Sequence, residues 1–348
     1  MTQTSPQPIR LDGPVADRSA WRGVDFADDD SWIYRLSPAE VDDLDGALGR
    51  ATEAGLPPLE FTRDAFPLPV FGAGLAGILE ELENGRGFAL LRGIPVEHYD
   101  EPSLYRLYWG IAVHLGDMIS QNAKGDLIGR VEDQGVDISS VNARGYTTNA
   151  ELHPHNDSSD IVGLLCVRRA KEGGESMIAS AMAIYNEILS SHPEYLDALY
   201  TGFHYDVRGE GVTGASDEVT RNRVPVFSYF DGRLSCRFNK RAIETAATKM
   251  GQPLTALEQA AIDTVARLTL DPAVRHDMSF QPGDMQLLNN HMVLHARNGF
   301  ADWPEHDRRR LLLRLWVNRR EGEGRQLAPD FATRYNTGFR QGVAVAGD

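Results

Sequence analysis

The second half of the chain is a succession of short apolar or alternating segments, and this pattern restricts the fold more than any other feature of the sequence. From about residue 118 onward, turn signals such as Gly173-Gly174 and Asp231-Gly232 separate these segments. They are predicted strands, over 128–131, 161–167, 177–180, 227–230, 284–289 and 310–318. One long helix, predicted over about 255–270, interrupts them. Many short strands with few helices between them favour an antiparallel sandwich or barrel over a doubly wound sheet.

The first third of the chain is predicted to be mainly helical. Ser37 stands before Pro38 and three residues before Glu40, which predicts a capped helix start, and apolar residues at helical spacing extend this helix over 38–54. Two further helices are predicted over 71–82 and 102–115, and a short buried strand is predicted over 88–91.

Residues 1–30 differ from the rest of the chain. They are polar, contain several prolines and end in an acidic run, so they are predicted to form an N-terminal arm. Because sandwiches and barrels reach ~200–250 residues as one unit, residues 31–348 are predicted to form a single decorated domain.

The composition excludes several classes of function. The 348 residues contain 35 Lys and Arg against 50 Asp and Glu, a net charge of −15, and no dense basic stripe. Such a chain repels nucleic acid and anionic membrane surfaces. Two cysteines cannot build a disulfide framework, and no signal peptide or long apolar span is evident, so a cytoplasmic location is expected. The sequence leaves open whether the chain forms a homo-oligomer.

Four histidines are followed two residues later by a carboxylate, an arrangement that can hold a metal ion because residues i and i+2 of an extended segment share a face. The four triplets begin at His98, His155, His192 and His204. His98 is most simply a surface residue, and His192-Pro193-Glu194 is best explained by helix capping. The pair His155 and Asp157 is favoured because it lies directly before an apolar strand, at the mouth of a predicted sheet.

A third ligand is expected from a distant strand. The segment 288–297 contains both His291 and His295, and the residues alone leave either open. A competing interpretation takes His153 and His155 as the ligands of a zinc hydrolase, which predicts a barrel of alternating strands and helices.

Residues 308–318 contain a second signal. At period two, Arg310, Leu312, Arg314 and Trp316 share one face and leucines and a valine share the other. Arginine on a solvated edge strand is the ordinary explanation. The alternative is a partly buried site for an anion, because guanidinium groups bind carboxylates with two parallel hydrogen bonds.

Taken in order, these residues resemble the taurine dioxygenase-like (TauD/TfdA) family of iron(II)- and 2-oxoglutarate-dependent dioxygenases. The resemblance covers about residues 85–335 and includes His155-x-Asp157, Gly173-Gly174-Glu175-Ser176, His295, Arg310 and Arg314. It implies a mainly β, α+β fold with flanking helices, the double-stranded β-helix or jelly roll.

The resemblance also implies a role for each of these residues. His155, Asp157 and His295 would bind Fe(II), and this choice selects His295 over His291. Arg310 would bind the distal carboxylate of 2-oxoglutarate, with assistance from Ser176, where many relatives have threonine. Arg314 matches a position at which some relatives bind an acidic group of the substrate.

The implied reaction consumes O2 and 2-oxoglutarate, releases succinate and CO2, and hydroxylates a small-molecule substrate. The Asp157 carboxylate favours hydroxylation or desaturation over halogenation, and cyclisation stays open. The polar, turn-rich segment 118–151 is predicted to form a lid that contacts a small polar or carboxylate-bearing substrate through Gln121, Asn122 and Asn149. A non-enzymatic alternative is a jelly-roll binding module that keeps a structural metal, although such a module has no need of the Arg310 and Ser176 pair.

Overall fold

The computed structural model describes residues 10–136, 145–333 and 335–345. The helices are α1 (Pro38–Glu53), α2 (Gly72–Asn84), α3 (Glu101–Ala112), α4 (Ala181–Ser191), α5 (Leu196–Thr201), α6 (Lys240–Lys249), α7 (Ala256–Leu270) and α8 (Pro329–Ala332). The strands of the first half are β1 (Ile33–Arg35), β2 (Phe88–Arg92), β3 (Asp117–Met118), β4 (Ile128–Val131), β5 (Leu152–His155), β6 (Ile161–Arg168) and β7 (Glu172–Gly173). Those that follow are β8 (Ser176–Ser180), β9 (Phe227–Phe230), β10 (Arg233–Cys236), β11 (His276–Met278), β12 (Met285–Asn289), β13 (Val293–Arg297), β14 (Phe300–Ala301) and β15 (Leu311–Asn318).

Two sheets dominate the architecture. The larger has seven strands in the order β1-β2-β12-β6-β15-β3, with β4 also paired to β15, and the smaller has the order β11-β8-β13-β5. Within these two sheets only β1 and β2 pair in parallel among the described residues. The two sheets share one apolar cluster, to which the larger contributes Val162 and Leu312 and the smaller Ile178 and Val293. The predicted antiparallel, strand-rich second half is therefore observed, with helices around it.

Strand β15 shows how the alternating sequence builds this core. Leu311, Leu313, Leu315 and Val317 pack in the cluster formed with α1, α2 and α3. Leu312 and Trp316 belong to the opposite cluster, between the two sheets. All eight residues of β15 are buried, so the strand is not a solvated edge and the arginine-bearing face points into the protein.

The second half contains more helix than the sequence predicted. Besides α7, the helices α4, α5 and α6 separate its strands, and α4 and α5 each contact α7 around a separate apolar cluster. Short amphipathic segments such as α6 are stabilised mainly by tertiary packing, which a local pattern does not report. Within the described residues, no helix is long and apolar enough to cross a membrane.

The described part of the predicted N-terminal arm, residues 10–30, packs on the body of the protein. The ring of Trp21 lies 5.0 Å from that of Phe88 on β2, and the ring of Phe26 lies 5.4 Å from it. The Trp21 indole N–H donates to the Arg86 carbonyl at 2.8 Å. Two buried aromatic side chains thus attach a segment of polar composition to the outer part of the larger sheet.

Trp21→Ala is predicted to lower the free energy of unfolding by ~3–5 kcal/mol, the usual cost of removing a large buried aromatic side chain. Denaturant titration followed by circular dichroism measures the change. Val24→Ala is the control, since Val24 lies on the same segment but is 58% exposed, and a change within ~0.5 kcal/mol is expected there. Equal effects of the two variants would show that the arm does not contribute a buried contact.

Candidate active site

Two strands and one turn bring together three side chains that could hold a metal ion. His155 is the last residue of β5, and His295 lies on β13 directly opposite it in the antiparallel register. Their imidazole rings are 4.3 Å apart between centroids. Asp157 follows in the turn after β5, where its backbone N–H donates to the Asn290 side-chain oxygen at 3.1 Å.

The three side chains point at a common space. Asp157 Oδ1 lies 4.0 Å from His155 Nε2, and Asp157 Oδ2 lies 3.7 Å from His295 Nε2. One ligand atom from each residue falls within 4.8 Å of the others, and among the described residues this is the one such group of histidine, cysteine and carboxylate side chains. His155 Nδ1 is 2.8 Å from the His153 carbonyl, so it donates there and leaves the Nε2 lone pair for a ligand. Two imidazoles and a carboxylate suit a first-row divalent metal ion.

Electrostatics keep these groups in the metal-binding protonation state. Burial, together with the neighbouring His155, lowers the pKa of His295 to about 3. Burial also lowers the pKa of His155. Burial alone would raise the pKa of Asp157, but the neighbouring groups, above all the positively charged Arg314, outweigh it and hold that pKa below its usual value. Neutral imidazoles and an ionised carboxylate are the forms that bind a cation.

Arg314 lies beside the three ligands and is held by Gln121. Its Nη1 is 3.7 Å from Asp157 Oδ1, and its Nε donates to Gln121 Oε1 at 2.7 Å. The Gln121 amide nitrogen in turn donates to the carbonyls of Arg314 and Leu127, both at 2.8 Å. Gln121 therefore lines the cavity but uses its whole amide to orient Arg314.

Two further arginines, Arg310 and Arg297, are buried in the interior of the protein. Arg310 and Arg297 both place their guanidinium carbon near the Phe300 ring, at 4.9 and 4.8 Å from its centroid. Burial lowers the pKa of Arg310 to about 10, and burial together with Arg310 lowers the pKa of Arg297 to about 9. Arg310 Nη1 and Arg297 Nε and Nη1 are buried without a hydrogen-bond partner. Unpaired buried donors on two cations fit a dianionic ligand.

Ser176 and the glycine turn before it adjoin this group. Ser176 lies opposite Arg297 in the β8–β13 register, and the Gln286 amide donates to its hydroxyl at 3.1 Å. Gly174 has φ +79°, and a Cβ there would lie 3.2 Å from Arg310 Nε. The turn predicted from Gly173-Gly174 is thus shaped to let the Arg310 side chain pass.

A cavity of about 950 Å³ opens beside the three metal-ligating residues. Tyr146 and Gln121 from the predicted lid line it, whereas residues 137–144 of that segment lie outside the described residues. The structure does not bring Asn122 or Asn149 to the cavity wall. Asn122 forms a turn with Lys124 and Asp126, and the Asn149 carbonyl accepts from the Phe300 N–H.

Two other histidines considered from the sequence, His291 and His204, have structural partners. His291 is 1% exposed, and its Nε2 lies 2.8 Å from Asp160 Oδ1. His204 Nδ1 lies 2.7 Å from the Thr220 carbonyl, and Asp206 pairs with Lys249 at 2.6 Å. Neither falls within the group formed by His155, Asp157 and His295.

Three arginines near the site were not predicted from the sequence: Arg297, Arg208 and Arg237. Arg297 had a signal, because it follows His295 by two residues on a strand and must share its face. Arg208 and Arg237 lie in loops that reach the cavity only through tertiary packing, and the sequence contains no periodic signal for them.

Comparison with known proteins agrees with this geometry. Residues 54–316 match the family described as taurine catabolism dioxygenase TauD, TfdA. FR-33289 synthase from Streptomyces rubellomurinus (strain ATCC 31215) is 36% identical over 93% of this chain and 95% of its own length. The taurine hydroxylase-like protein SAT17 from Stachybotrys chartarum (strain CBS 109288 / IBT 7711) is 29% identical over 88% of this chain and 80% of its own length.

The fold has a solved counterpart. Asparagine oxygenase in complex with Fe(II), 2S,3S-3-hydroxyasparagine and succinate superposes with a TM-score of 0.64 at 20% identity, covering 82% of this chain and 93% of that chain. The resemblance inferred from the sequence is confirmed by the family match and by the long alignment to the synthase. This chain therefore belongs to the TauD/TfdA family and is a 2-oxoglutarate-dependent dioxygenase.

Proposed function

We propose that this enzyme uses Fe(II) and 2-oxoglutarate to hydroxylate an unactivated C–H bond of a small polar or carboxylate-bearing substrate. The observation that carries the proposal is the convergence of His155, Asp157 and His295 beside a large cavity, with buried arginines in reach of the same interior. The two facing sheets support the double-stranded β-helix, in which the metal lies between the sheets.

His155, Asp157 and His295 are the proposed iron ligands. With these three residues as ligands, a bound ion would keep positions free for 2-oxoglutarate and O2. When bound, Fe(II) with 2-oxoglutarate and O2 supplies the oxidation, in which 2-oxoglutarate becomes succinate and CO2 while a substrate C–H bond is hydroxylated. The protein contributes the ligand geometry, the orientation of the substrate and the exclusion of other reductants.

Arg310 is the proposed partner of the distal carboxylate of 2-oxoglutarate. Its Nη1 is buried and unpaired, so it needs an anion. The Asp302 carboxylate holds the residue in place by accepting the Arg310 backbone N–H at 2.8 Å. Gly174 leaves room for the side chain, because a Cβ there would lie 3.2 Å from Arg310 Nε. Ser176 offers a hydroxyl on the same interior face. A hydroxyl beside a guanidinium completes the hydrogen bonding of a carboxylate.

Arg314 is the proposed contact for an acidic group of the substrate. It lines the cavity together with His155 and Asp157, and its guanidinium carbon lies 4.6 and 5.0 Å from the ring centroids of Tyr146 and Trp316. Gln121 supports it from behind. An anion bound to Arg314 would be held next to the metal, where its neighbouring C–H bonds can react.

The competing interpretations are less compatible with the structure. The zinc hydrolase of a (β/α)8 barrel requires parallel strands, and the sheets here are almost wholly antiparallel. A structural metal module gives no reason for Arg310 and Arg297 to keep unpaired donors in the interior. Desaturation and cyclisation use the same residues and differ only in the fate of the substrate. Anaerobic addition of Fe(II) and then 2-oxoglutarate should produce a weak visible charge-transfer band, and its absence would contradict the proposal.

His295→Ala should remove a metal ligand and abolish substrate-dependent succinate formation. His291→Ala is the matched control, because it alters a histidine of the same segment that pairs with Asp160 instead. That variant should keep turnover but lose stability, by ~1–3 kcal/mol for the broken buried hydrogen bond. Iron content after anaerobic loading and succinate release are measured on folded protein. Equal loss of iron in both variants would show that the histidines have been assigned wrongly.

Arg310→Leu should weaken 2-oxoglutarate binding, since a buried carboxylate would lose its partner at a typical cost of ~2–5 kcal/mol, on the order of thirtyfold to several thousandfold in affinity. Titration of the visible band with 2-oxoglutarate measures this, and iron binding should persist. Gly174→Ala should act in the same direction by crowding Arg310 Nε. Arg308→Leu is the control, because Arg308 is an exposed neighbour paired with Glu305. An unchanged affinity in Arg310→Leu would transfer the role to Arg314 or Arg297.

Asp157→Gly should lower the rate of hydroxylation by on the order of a hundredfold or more, because a charged ligand is lost and Arg314 loses its partner. Iron should remain weakly bound through the two histidines. Product mass by chromatography and iron content are the measurements. Asp231→Gly is the control, since Asp231 is an exposed turn residue with φ 49° that glycine adopts easily. Near wild-type hydroxylation in Asp157→Gly would show that Asp157 is not a ligand.

A further inference from the structure

The cavity beside the metal-ligating residues contains two arginines that the proposed reaction does not use. The same cavity is also lined by five carboxylates: Glu151, Asp157, Asp206, Glu210 and Glu244. Five basic side chains line it: Arg208, Arg237, Lys240, Arg241 and Arg314. Lys240 forms ion pairs with Glu244 at 2.7 Å and with Asp263 at 3.2 Å. Arg314 lies 3.7 Å from the Asp157 carboxylate and donates a hydrogen bond to Gln121. Arg241 also takes part in an interaction of its own. The remaining two cations, Arg208 and Arg237, form no ion pair with a carboxylate among residues 10–136, 145–333 and 335–345.

Arg237 is the more enclosed of the two. Its guanidinium carbon lies 4.9 Å from the centroid of the Tyr205 ring, and its closest hydrogen-bond acceptor is the Thr333 carbonyl at 3.4 Å, a long contact. Burial lowers its pKa. A guanidinium in a cavity wall without an anion keeps an uncompensated desolvation cost, which a bound anion would relieve.

Arg208 occupies an unusual backbone conformation at the same wall. Its φ is 55°, in the left-handed region that side chains other than glycine rarely adopt. Asp206 stabilises this turn by accepting the Arg208 backbone N–H at 2.8 Å, while its carboxylate charge is engaged by Lys249. The Arg208 side chain is therefore directed by a strained backbone and keeps its charge for another partner.

Hydrogen bonds between their segments bring the two arginines to the same part of the cavity. The Tyr205 hydroxyl donates to the Arg237 carbonyl at 2.9 Å, and the Asp206 N–H donates to the Ala242 carbonyl at 2.9 Å. The segment after Arg237 is fastened to the turn between the proposed ligands, since Asn156 and Phe238 exchange two hydrogen bonds of 2.9 and 2.8 Å. Both side chains line the cavity, on segments that these hydrogen bonds connect to each other and to the turn between His155 and Asp157.

We propose that Arg208 and Arg237 form a subsite for a tetrahedral, doubly charged oxyanion of the substrate, a phosphate monoester or a phosphonate. Two guanidinium groups supply hydrogen-bond donors for all three oxygens of such an oxyanion, and their charge of +2 balances its charge of −2. A single carboxylate would engage only half of these donors and half of this charge. Arg314 and this subsite would then hold two different groups of one substrate, and the C–H bond between them would face the metal. The proposal deepens the proposed function, on which its catalytic meaning rests.

Binding of inorganic phosphate and of methylphosphonate to the iron-free protein tests the subsite without requiring turnover. Isothermal titration calorimetry should show binding that falls about tenfold to a hundredfold in Arg208→Gln and in Arg237→Gln, the loss of one charge-assisted contact. Lys240→Gln is the matched control, because it removes a cavity cation that is already paired, and a change below about threefold is expected. Because the unpaired donors of Arg310 and Arg297 also fit a dianion, the titrations are repeated in Arg310→Leu. The binding that depends on Arg208 and Arg237 should persist there, which distinguishes the subsite from the proposed 2-oxoglutarate site.

Equal weakening in Lys240→Gln would overturn the proposal, as would phosphate binding that is insensitive to both arginine variants. A succinate-release panel on the iron-loaded enzyme then compares phosphate monoesters, phosphonates and carboxylates of matched size. Preference for either phosphorus class, lost in Arg237→Gln, supports the proposal and identifies the source, whereas preference for the carboxylates contradicts it. Phosphate binding in a protein that shows no visible band with Fe(II) and 2-oxoglutarate would contradict the proposed reaction but not the subsite. A visible band in a protein that binds no phosphate would contradict the subsite but not the proposed reaction.

Discussion

The antiparallel pairing of β13 with both β5 and β8 is the constraint on which the site depends. It sets His295 opposite His155 on one side and Arg297 opposite Ser176 on the other. Because residues two apart on a strand share a face, one strand delivers both an imidazole and a guanidinium to the space between the sheets. A shift of this register by one residue would turn both side chains out of the interior, so the register fixes the proposed iron ligands and the proposed 2-oxoglutarate contacts together.

The interior also carries an unusual distribution of charge. Arg297, Arg310 and Arg314 are at most 9% exposed, yet Asp157 is the carboxylate that lies within ion-pair distance of one of them among the described residues. Buried cations of this kind lower stability unless an anion neutralises them. The pre-formed anion sites therefore lower the free energy of unfolding of the protein. Binding of 2-oxoglutarate and an acidic substrate should raise it again, as well as prepare the reaction.

Local patterns predicted the regular elements well where the physical signal was itself local. The Ser37 and Glu40 capping box starts α1 as expected, and the alternation of residues 311–317 corresponds to two buried faces of β15. The helix α6 was missed because its 10 residues give no long periodic pattern and tertiary packing stabilises it. The predicted contacts of Asn122 and Asn149 were inferred from polarity alone, and polarity does not report which side of a loop faces the cavity.

The sequence by itself determined the strand-rich fold class, the family and the candidate residues His155, Asp157, His295, Ser176, Arg310 and Arg314, because these depend on spacing and alternation along the chain. Tertiary structure decided what lies next to them. Only the folded chain placed Gln121 behind Arg314, His291 on Asp160, and Arg208 and Arg237 at the cavity wall. The physical reason is that a strand's periodicity fixes the direction of its own side chains, whereas the partner of a buried charge is chosen by segments distant in sequence, whose meeting no local pattern encodes.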